Sequence, residues 1–198
     1  MQEKKERRSN ADRTQSMRDG LIASARDLFI ENGYAETSTP EIVARANVTR
    51  GALYHHFEDK ASLFRAVIRA ESERVAEEIN LATKDCTDAA EALNTGTDAY
   101  LEAMTVPGRT RLLLIDGPSA LGREAMDAID RETSGGTMVV GLTAALGRSP
   151  DAAIRAHASL LSAAFDRAAL DINAGGDASR YRAVLKRMLA EAVEANRA

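Results

Sequence analysis

The chain has 198 residues, of which 44% are apolar, 28% charged and only 4% aromatic. This length and apolar share allow one or two compact domains with a buried core and exclude a chain that is disordered throughout. No segment approaches the roughly 18 uninterrupted apolar residues that a membrane span needs, and no apolar stretch follows the charged N-terminus as in a secretory signal. The single cysteine, Cys86, excludes an internal disulfide framework and favours a reducing, cytoplasmic location.

The net charge of -4 is unevenly distributed along the chain. Residues 1–69 carry 12 Lys/Arg against 10 Asp/Glu, whereas residues 70–198 carry 14 against 20. The first segment is therefore the better candidate for contact with a polyanion. Residues 1–13 lack periodicity and hold five of the basic side chains, which predicts a flexible basic tail. Such a tail is either simply solvated or reaches along DNA as an arm.

Abundant Ala and Leu, with few β-branched and aromatic residues, predict an all-α chain. From about Thr14, apolar residues recur at three- and four-residue spacing and predict a helix that ends at Gly33. Ser38 and Glu41 then have the spacing of a capping box, and Pro40 is tolerated in a first helical turn. These signals predict that a second helix begins just after Ser38.

The second and third predicted helices are joined by a tight turn. Asn47 accepts a left-handed backbone more easily than most residues, and a further short helix follows it from Thr49 to Phe57. Val48, Leu53 and Phe57 are the predicted core anchors of this segment, whose other residues are polar, basic or very small. Two short helices packed on a longer first helix describe a helix-turn-helix over residues 38–57.

The rest of the chain is predicted to be helical and shows neither internal repeats nor strand-like alternation. A fourth helix extends from Asp59 to about Thr83. Later helices are predicted over approximate ranges, the third of them with a bend or break at Gly135–Gly136: 88–104, 109–115, 119–147, 151–173 and 177–196.

The last two predicted helices carry more apolar surface than one subunit needs. The first has one face of large residues, including Ile154, Leu161 and Phe165, and a second face of mostly small ones, with Ala156 and Leu160. Helices that are apolar on two faces are buried on both. This pattern predicts a homodimer through a four-helix bundle, and the alternative is that both faces are covered within one subunit.

Residues 37–64 carry the most specific motif of the chain: Thr-Ser-Thr-Pro-Glu-Ile-Val-Ala-Arg-Ala-Asn-Val-Thr-Arg-Gly-Ala-Leu-Tyr-His-His-Phe-Glu-Asp-Lys-Ala-Ser-Leu-Phe. This string resembles the TetR family of transcriptional regulators, with Leu-Tyr-x-His-Phe in the third helix and Lys before Leu. It departs from the family at Asn47, where Gly is usual, and at Pro40, where relatives often place a polar side chain. The resemblance implies an N-terminal helix-turn-helix DNA-binding domain over 14–74 and a C-terminal helical ligand-binding and dimerisation domain over 75–198.

The resemblance also implies which residues contact double-stranded DNA, with the third helix in the major groove. Arg50 would read guanine with two parallel donors, and Gly51 would allow close approach of the backbone. Alternatives are that Arg50 is merely solvated and that Tyr54 is a half-buried core residue. The full set of implied DNA contacts is Ser38, Thr39, Thr49, Arg50, Gly51, Tyr54, His55 and Lys60.

By the same resemblance, the protein is a homodimeric repressor that leaves a pseudo-palindromic operator when a small-molecule inducer binds. Ten residues are candidates for the wall of the inducer pocket, and the alternative is that they simply belong to the core. Few of them are polar, so the inducer is predicted to be mainly apolar. The ten candidates are Tyr100, Met104, Leu113, Asp116, Met126, Ile129, Met138, His157, Leu161 and Phe165.

Other function classes have less support from the sequence. Neither a catalytic motif nor a spacing of metal ligands is found, so the chain is predicted to be no enzyme, to need no cofactor or metal and to have no membrane partner. Two alternatives stay open, namely a ligand-dependent activator and a helical small-molecule-binding or scaffolding protein with a degenerate DNA-binding head.

Overall fold

A computed structural model of the protein describes residues 10–196, and all regular secondary structure in this range is helical. The predicted all-α class is therefore confirmed. The chain divides into two compact units between Val67 and Ile68, seven residues before the predicted domain boundary. The fourth helix continues across this division, and an unbroken helical pattern gives no sequence signal for a boundary inside it. No helix within residues 10–196 is long and apolar enough to cross a membrane.

The N-terminal unit is built from three helices and the start of a fourth: α1 (Asn10–Glu36), α2 (Thr39–Arg45), α3 (Arg50–His56) and α4 (Lys60–Thr83). Helix α1 begins four residues before the predicted Thr14, so residues 10–13 are not part of a tail. Its first turns are exposed and hold no apolar stripe, which is why periodicity missed them. Residues 1–9 of the predicted tail lie outside the described residues.

Local signals in the N-terminal unit act as the sequence predicts. At Gly33 the backbone leaves the helical region, with φ 81. The Ser38 N–H donates to the Glu41 carboxylate at 2.8 Å and the Glu41 N–H to Ser38 Oγ at 3.4 Å, which closes the capping box. Asn47 has φ 52, the left-handed conformation that joins α2 to α3.

The core of the N-terminal unit is formed where these helices meet. An edge-to-face contact joins Phe29 of α1 to Phe64 of α4, with ring centroids 4.9 Å apart, and Tyr34 lies 4.6 Å from the same Phe64 ring. Fully buried Leu53 attaches α3 to this core. The unit therefore holds α3 by one face only.

The C-terminal unit contains the rest of α4 and the following elements: α5 (Ala89–Ala103), α6 (Arg109–Arg111), a π-helical turn (Leu112–Asp116), α7 (Gly117–Leu121), α8 (Arg123–Glu132), α9 (Ser134–Leu146), α10 (Ala152–Asn173) and α11 (Ala178–Ala195). Its core is made largely by α5, α9, α10 and α11, with Leu142, Ile154, Phe165 and Leu189 almost completely buried.

Three predicted helix boundaries in this unit are wrong. The helix predicted from 119 is interrupted at Gly122, which has φ 79 and ψ 161. The helix from Arg109 does not stop at Asp116, because the Gly117 N–H bonds to the Leu112 carbonyl and a π-helical turn carries the chain into α7. Pro118 lacks an N–H to continue the regular pattern, so the helix widens instead of ending. The break predicted at Gly135–Gly136 lies at Thr133, which has non-helical φ -129 and ψ -116.

A buried ion pair joins α4 to α6 within the C-terminal unit. Glu71 has no exposed surface and Arg109 only 3%. The Arg109 Nε donates to Glu71 at 3.1 Å, and its Nη1 donates to Glu78 at 3.0 Å and to the Ala103 carbonyl at 2.7 Å. Arg74 forms a second pair with Glu71. Buried charges of this kind are tolerated only when they are paired and hydrogen-bonded.

Candidate DNA-binding interface and ligand cavity

Helix α3 is buried on one face and open on the other. Leu53 has no exposed surface and Phe57, just after the helix, only 5%, whereas the Tyr54 side chain is 42% exposed. Arg50 and His55 are exposed as well. The polar and basic side chains of α3 therefore share a surface that a nucleic acid can reach.

The start of α3 is fixed by its own cap. Thr49 is the N-cap residue, and its Oγ1 accepts the Ala52 N–H at 3.2 Å. Arg50, the first helical residue, places its guanidinium carbon 5.5 Å from the centroid of the Tyr54 ring. This geometry holds Arg50 at the exposed N-terminal end of the helix, where the family resemblance implies a base contact. Gly51 is exposed, and a Cβ there would meet only Thr49 Oγ1, at 3.9 Å.

Tyr54 connects α3 to α2 at the surface. Hydrogen bonding to Thr39 first, and then to Arg50, lowers the pKa of the Tyr54 hydroxyl below its usual value. Tyr54 is thus a surface residue with polar partners, and the alternative of a half-buried core residue is wrong. Thr39 is half-buried beside it.

The structure is at odds with the implied phosphate contact of Ser38. The Ser38 N–H and Oγ–H both donate to the Glu41 carboxylate, at 2.8 and 2.6 Å. These hydrogen bonds lower the pKa of Glu41, so a carboxylate charge already occupies the N-terminus of α2. A phosphate at the same position would meet a like charge.

The phosphate contact implied for Lys60 is also at odds with the geometry. Its Nζ donates to the carbonyls of Tyr34, Ala35 and Thr37, at 2.9, 3.3 and 3.0 Å. The ammonium lies 4.4 Å from the centroid of the Tyr34 ring. Since an ammonium has three N–H donors, each already has an acceptor. Lys60 fastens the end of α1 to α4, and sequence alone could not place these carbonyls beside it.

Substitution of Lys60 with Met is therefore expected to lower the stability of the N-terminal unit. It removes three charge-assisted donors but keeps the apolar stem, so the free energy of unfolding should fall by about 1–2 kcal/mol. The dependence of DNA affinity on salt should keep its slope, because no phosphate contact is lost. Urea unfolding and a salt titration on labelled duplex measure the two effects. Lys84→Met, which removes an exposed lysine beside Asp85, is the matched control. A slope reduced by about one with unchanged stability would support the phosphate role instead.

A cavity of ≈ 190 Å³ lies in the C-terminal unit and is lined by residues of α4, α5, α8, α9, α10 and α11. Three of the ten predicted pocket residues line it: Tyr100, Met138 and Phe165. Tyr100 and Phe165 meet edge to face, with ring centroids 5.4 Å apart. The cavity combines these aromatic side chains with the carboxyl groups of Asp130 and Asp166.

The other seven predicted pocket residues do not line this cavity: Met104, Leu113, Asp116, Met126, Ile129, His157 and Leu161. Most of them are buried in the core, the alternative that the sequence left open. Asp116 instead pairs with Arg111 at 3.2 Å, and the His157 Nδ1 lies 2.9 Å from the Ala153 carbonyl. Apolar periodicity identifies buried positions but does not distinguish a cavity wall from solid packing.

Asp130 and Asp166 are the two acidic residues of the cavity lining, and neither was predicted from the sequence. The Tyr100 hydroxyl donates to Asp166 Oδ1 at 2.7 Å, and the Ser134 hydroxyl to Asp130 Oδ1 at 3.1 Å. Burial raises the pKa of Asp166 to about 6 and raises that of Asp130 as well. The one sequence feature that could have pointed to Asp130 is Gly135, because a Cβ at that position would lie only 2.0 Å from Asp130 Oδ2. Gly135, five residues after Asp130 and beyond the break at Thr133, thus leaves room for an inward-facing carboxylate.

Two family models match the chain. The model described as bacterial regulatory proteins, tetR family, matches residues 21–67, which include α2 and α3. The model described as tetracyclin repressor-like, C-terminal domain, matches residues 90–194, slightly more than half of the chain.

Curated relatives are similar over about a third of this chain. The transcriptional repressor BepR of Brucella suis is 39% identical over 62 residues, which are 31% of this chain and 29% of BepR. The transcriptional regulator QacR of Staphylococcus aureus is 36% identical over 63 residues, 32% of this chain and 34% of QacR. The matched segment thus spans about a third of the length of each relative.

The similarity to a solved structure extends over both units. A TetR-family transcriptional regulator from Pectobacterium atrosepticum shares 33% sequence identity with the chain, with a TM-score of 0.66. The match covers 95% of this chain and 93% of that one. By these matches the chain belongs to the TetR family of bacterial transcriptional regulators, whose members are DNA-binding regulators and not enzymes.

Proposed function

We propose that the protein is a homodimeric repressor that binds a pseudo-palindromic operator in the cytoplasm and leaves it when a small molecule occupies the C-terminal unit. The observation that carries the proposal is the exposed polar face of α3, with Arg50 at its N-terminal end and Tyr54 one turn later. A helix presented in this way fits the major groove, which alone offers a distinct pattern of donors and acceptors for each base pair.

Each exposed side chain of α3 has a separate proposed task. Arg50 donates two parallel hydrogen bonds to guanine N7 and O6, worth about 1–3 kcal/mol of discrimination against other bases. Thr49 contributes its hydroxyl and methyl, and Gly51 lets the backbone come close to the bases. Tyr54 and His55 contact phosphates, which position the protein without reading sequence.

Dimerisation is proposed through α10 and α11. The second face of α10 is open in the described chain, where Leu160 is 72% exposed and Ala153, Ala156 and Ala163 are exposed beside it. On α11, Val184 is 37% exposed. Small residues let a second copy approach closely, and two helices from each copy form a four-helix bundle. A two-fold dimer then places two copies of α3 on symmetric half-sites.

Substitution of Arg50 with Ala tests the DNA-reading role. The variant should lose roughly tenfold or more in affinity for its preferred duplex, because a bidentate guanine contact is lost. It should also discriminate less between bases at one position of each half-site, as fluorescence anisotropy on a set of single-base variants would measure. Arg123→Ala is the control, since Arg123 is an exposed arginine on α8 of the C-terminal unit. If the two variants bind every duplex equally well, Arg50 reads no base.

A further inference from the structure

We propose that the cavity in the C-terminal unit takes a small organic cation, an amine carried on an apolar body of about one aromatic ring. This inference rests on the proposed function in one respect, namely that the cavity holds the molecule to which the regulator responds. The chemical class, however, follows from the size, the walls and the charges of the cavity itself, and binding can be measured without DNA.

The size of the cavity limits the ligand to a small molecule. Its volume is ≈ 190 Å³. A cavity of about 150 Å³ with apolar walls accommodates one benzene molecule. The additional space corresponds to a short polar substituent rather than to a second ring. The cavity alone is smaller than the pockets of about 300–1,000 Å³ that drug-sized ligands occupy, so such a ligand would also have to extend into the adjoining groove.

The walls suit an aromatic or aliphatic body. Phe165 and Tyr100 form an edge-to-face pair at one side, and Leu93, Met138 and Val140 are among the other apolar residues. A Met side chain adapts its shape to a ligand more readily than a branched one. These residues supply the apolar contact that the sequence predicted for an inducer.

The charges of the cavity select for a cation. Asp130 and Asp166 both line it, and neither Lys, Arg nor His belongs to its lining within residues 10–196. Tyr100 is the one hydrogen-bond donor to the Asp166 carboxylate among the described residues, and it uses Oδ1. A carboxylate accepts through both oxygens, so Asp166 retains capacity for an N–H of a ligand. With its pKa raised to about 6, Asp166 is mostly ionised at pH 7.5 despite its burial, and an ammonium group would offset that cost.

An adjoining groove carries charge of the same sign. The groove, of ≈ 400 Å³, shares Asn80, Thr137 and Val140 with the cavity and is lined by three further acids: Glu73, Glu77 and Glu132. Arg69 pairs with Glu132 at 2.7 Å and with Glu73 at 4.0 Å, which neutralises part of this charge. The remaining negative potential raises the local concentration of cations and disfavours anions.

Three probes of matched shape test the proposal on the full chain: benzylamine, benzyl alcohol and benzoate. Isothermal titration calorimetry at pH 7.5 should show benzylamine binding roughly tenfold or more tightly than benzyl alcohol, because of the charge-assisted bond to a half-buried carboxylate, and no binding of benzoate. In Asp166→Asn the affinity for benzylamine should fall to that for benzyl alcohol, whose own affinity should change little. Asp85→Asn removes an equal charge from an 89% exposed side chain and should leave all three affinities unchanged.

The outcomes separate the ligand class from the proposed function. If benzyl alcohol binds as tightly as benzylamine, if benzoate binds best, or if no probe binds, the assignment to cations is wrong. The same holds if Asp166→Asn and Asp130→Asn both keep full affinity for benzylamine. DNA affinity is measured separately by anisotropy. Asp166-dependent binding of benzylamine that leaves DNA affinity unchanged would uphold the ligand class and overturn the effector role. Failure of every probe in a protein that binds its duplex would overturn the ligand class and leave the proposed DNA-binding function standing.

Discussion

Replacement of Arg109 with Met is expected to lower the free energy of unfolding by about 3–5 kcal/mol, the largest effect of any single change considered for this protein. Arg109 is 3% exposed and donates to Glu71, Glu78 and the Ala103 carbonyl. The substitution leaves Glu71, which has no exposed surface, with Arg74 as its remaining ion-pair partner among the contacts described. The Glu71 carboxylate then keeps the cost of its burial with one fewer charge-assisted hydrogen bond to offset it.

A double-mutant cycle distinguishes this explanation from a simple loss of packing. Glu71→Gln removes the charge that Arg109 neutralises, so the two changes together should cost less than the sum of the two single changes. Urea unfolding followed by circular dichroism gives the free energies. Arg167→Met breaks an ion pair with Asp171 whose arginine side chain is 72% exposed, and it should change stability by less than about 0.5 kcal/mol. An additive cycle, or an Arg109 effect no larger than that of Arg167, would contradict the role of the buried pair.

Replacement of Asp166 with Asn is expected to stabilise the protein at pH 8, in contrast to its effect on ligand binding. Burial raises the pKa of Asp166 from 3.8 to about 6, so the folded state binds this proton more tightly than the unfolded state. The contribution of Asp166 to stability is then greatest below pH ~4, falls as the pH rises through 6 and stays low above it. With 1.36 kcal/mol per pKa unit, the difference is at most about 3 kcal/mol.

The pH dependence of unfolding measures this effect directly. The gain in stability of Asp166→Asn over the unmodified chain should grow from near zero at pH 4 to about 1–3 kcal/mol at pH 8. The asparagine amide oxygen can still accept the hydrogen bond from the Tyr100 hydroxyl, so the geometry of the cavity is kept. Asp130 faces the same cavity, and its raised pKa adds a slope of the same sign that both proteins share. An equal stability difference at pH 4 and pH 8 would mean that the Asp166 carboxyl is not desolvated.

The sequence predicts the N-terminal unit well because its signals are local. The capping box at Ser38, the left-handed turn at Asn47 and the anchors Leu53 and Phe57 each depend on residues a few positions apart. The role of Lys60 could not be predicted in the same way, since its acceptors lie more than twenty residues earlier in the chain. A lysine near a DNA-binding helix looks the same in sequence whether it contacts phosphate or holds a loop.

The C-terminal unit is harder to predict because its functional features depend on packing between helices. Periodicity identifies Phe165 and Leu161 as buried, but only the former lines the cavity. Asp130 and Asp166 belong to no apolar stripe, and only the packing of α8, α9 and α10 brings them to the cavity. The π-helical turn at Leu112–Asp116 has no established sequence pattern, so the sequence predicts the end of a helix at Gly117–Pro118 instead.

Selection of bound duplexes from a random pool tests most directly whether the open face of α3 reads DNA as one of a symmetric pair. The account predicts an enriched consensus of two inverted half-sites, centred about one helical turn apart or a multiple of it, with a guanine whose enrichment disappears in Arg50→Ala. An enriched single, asymmetric site that Arg50→Ala leaves unchanged, or no enrichment at all, would contradict it.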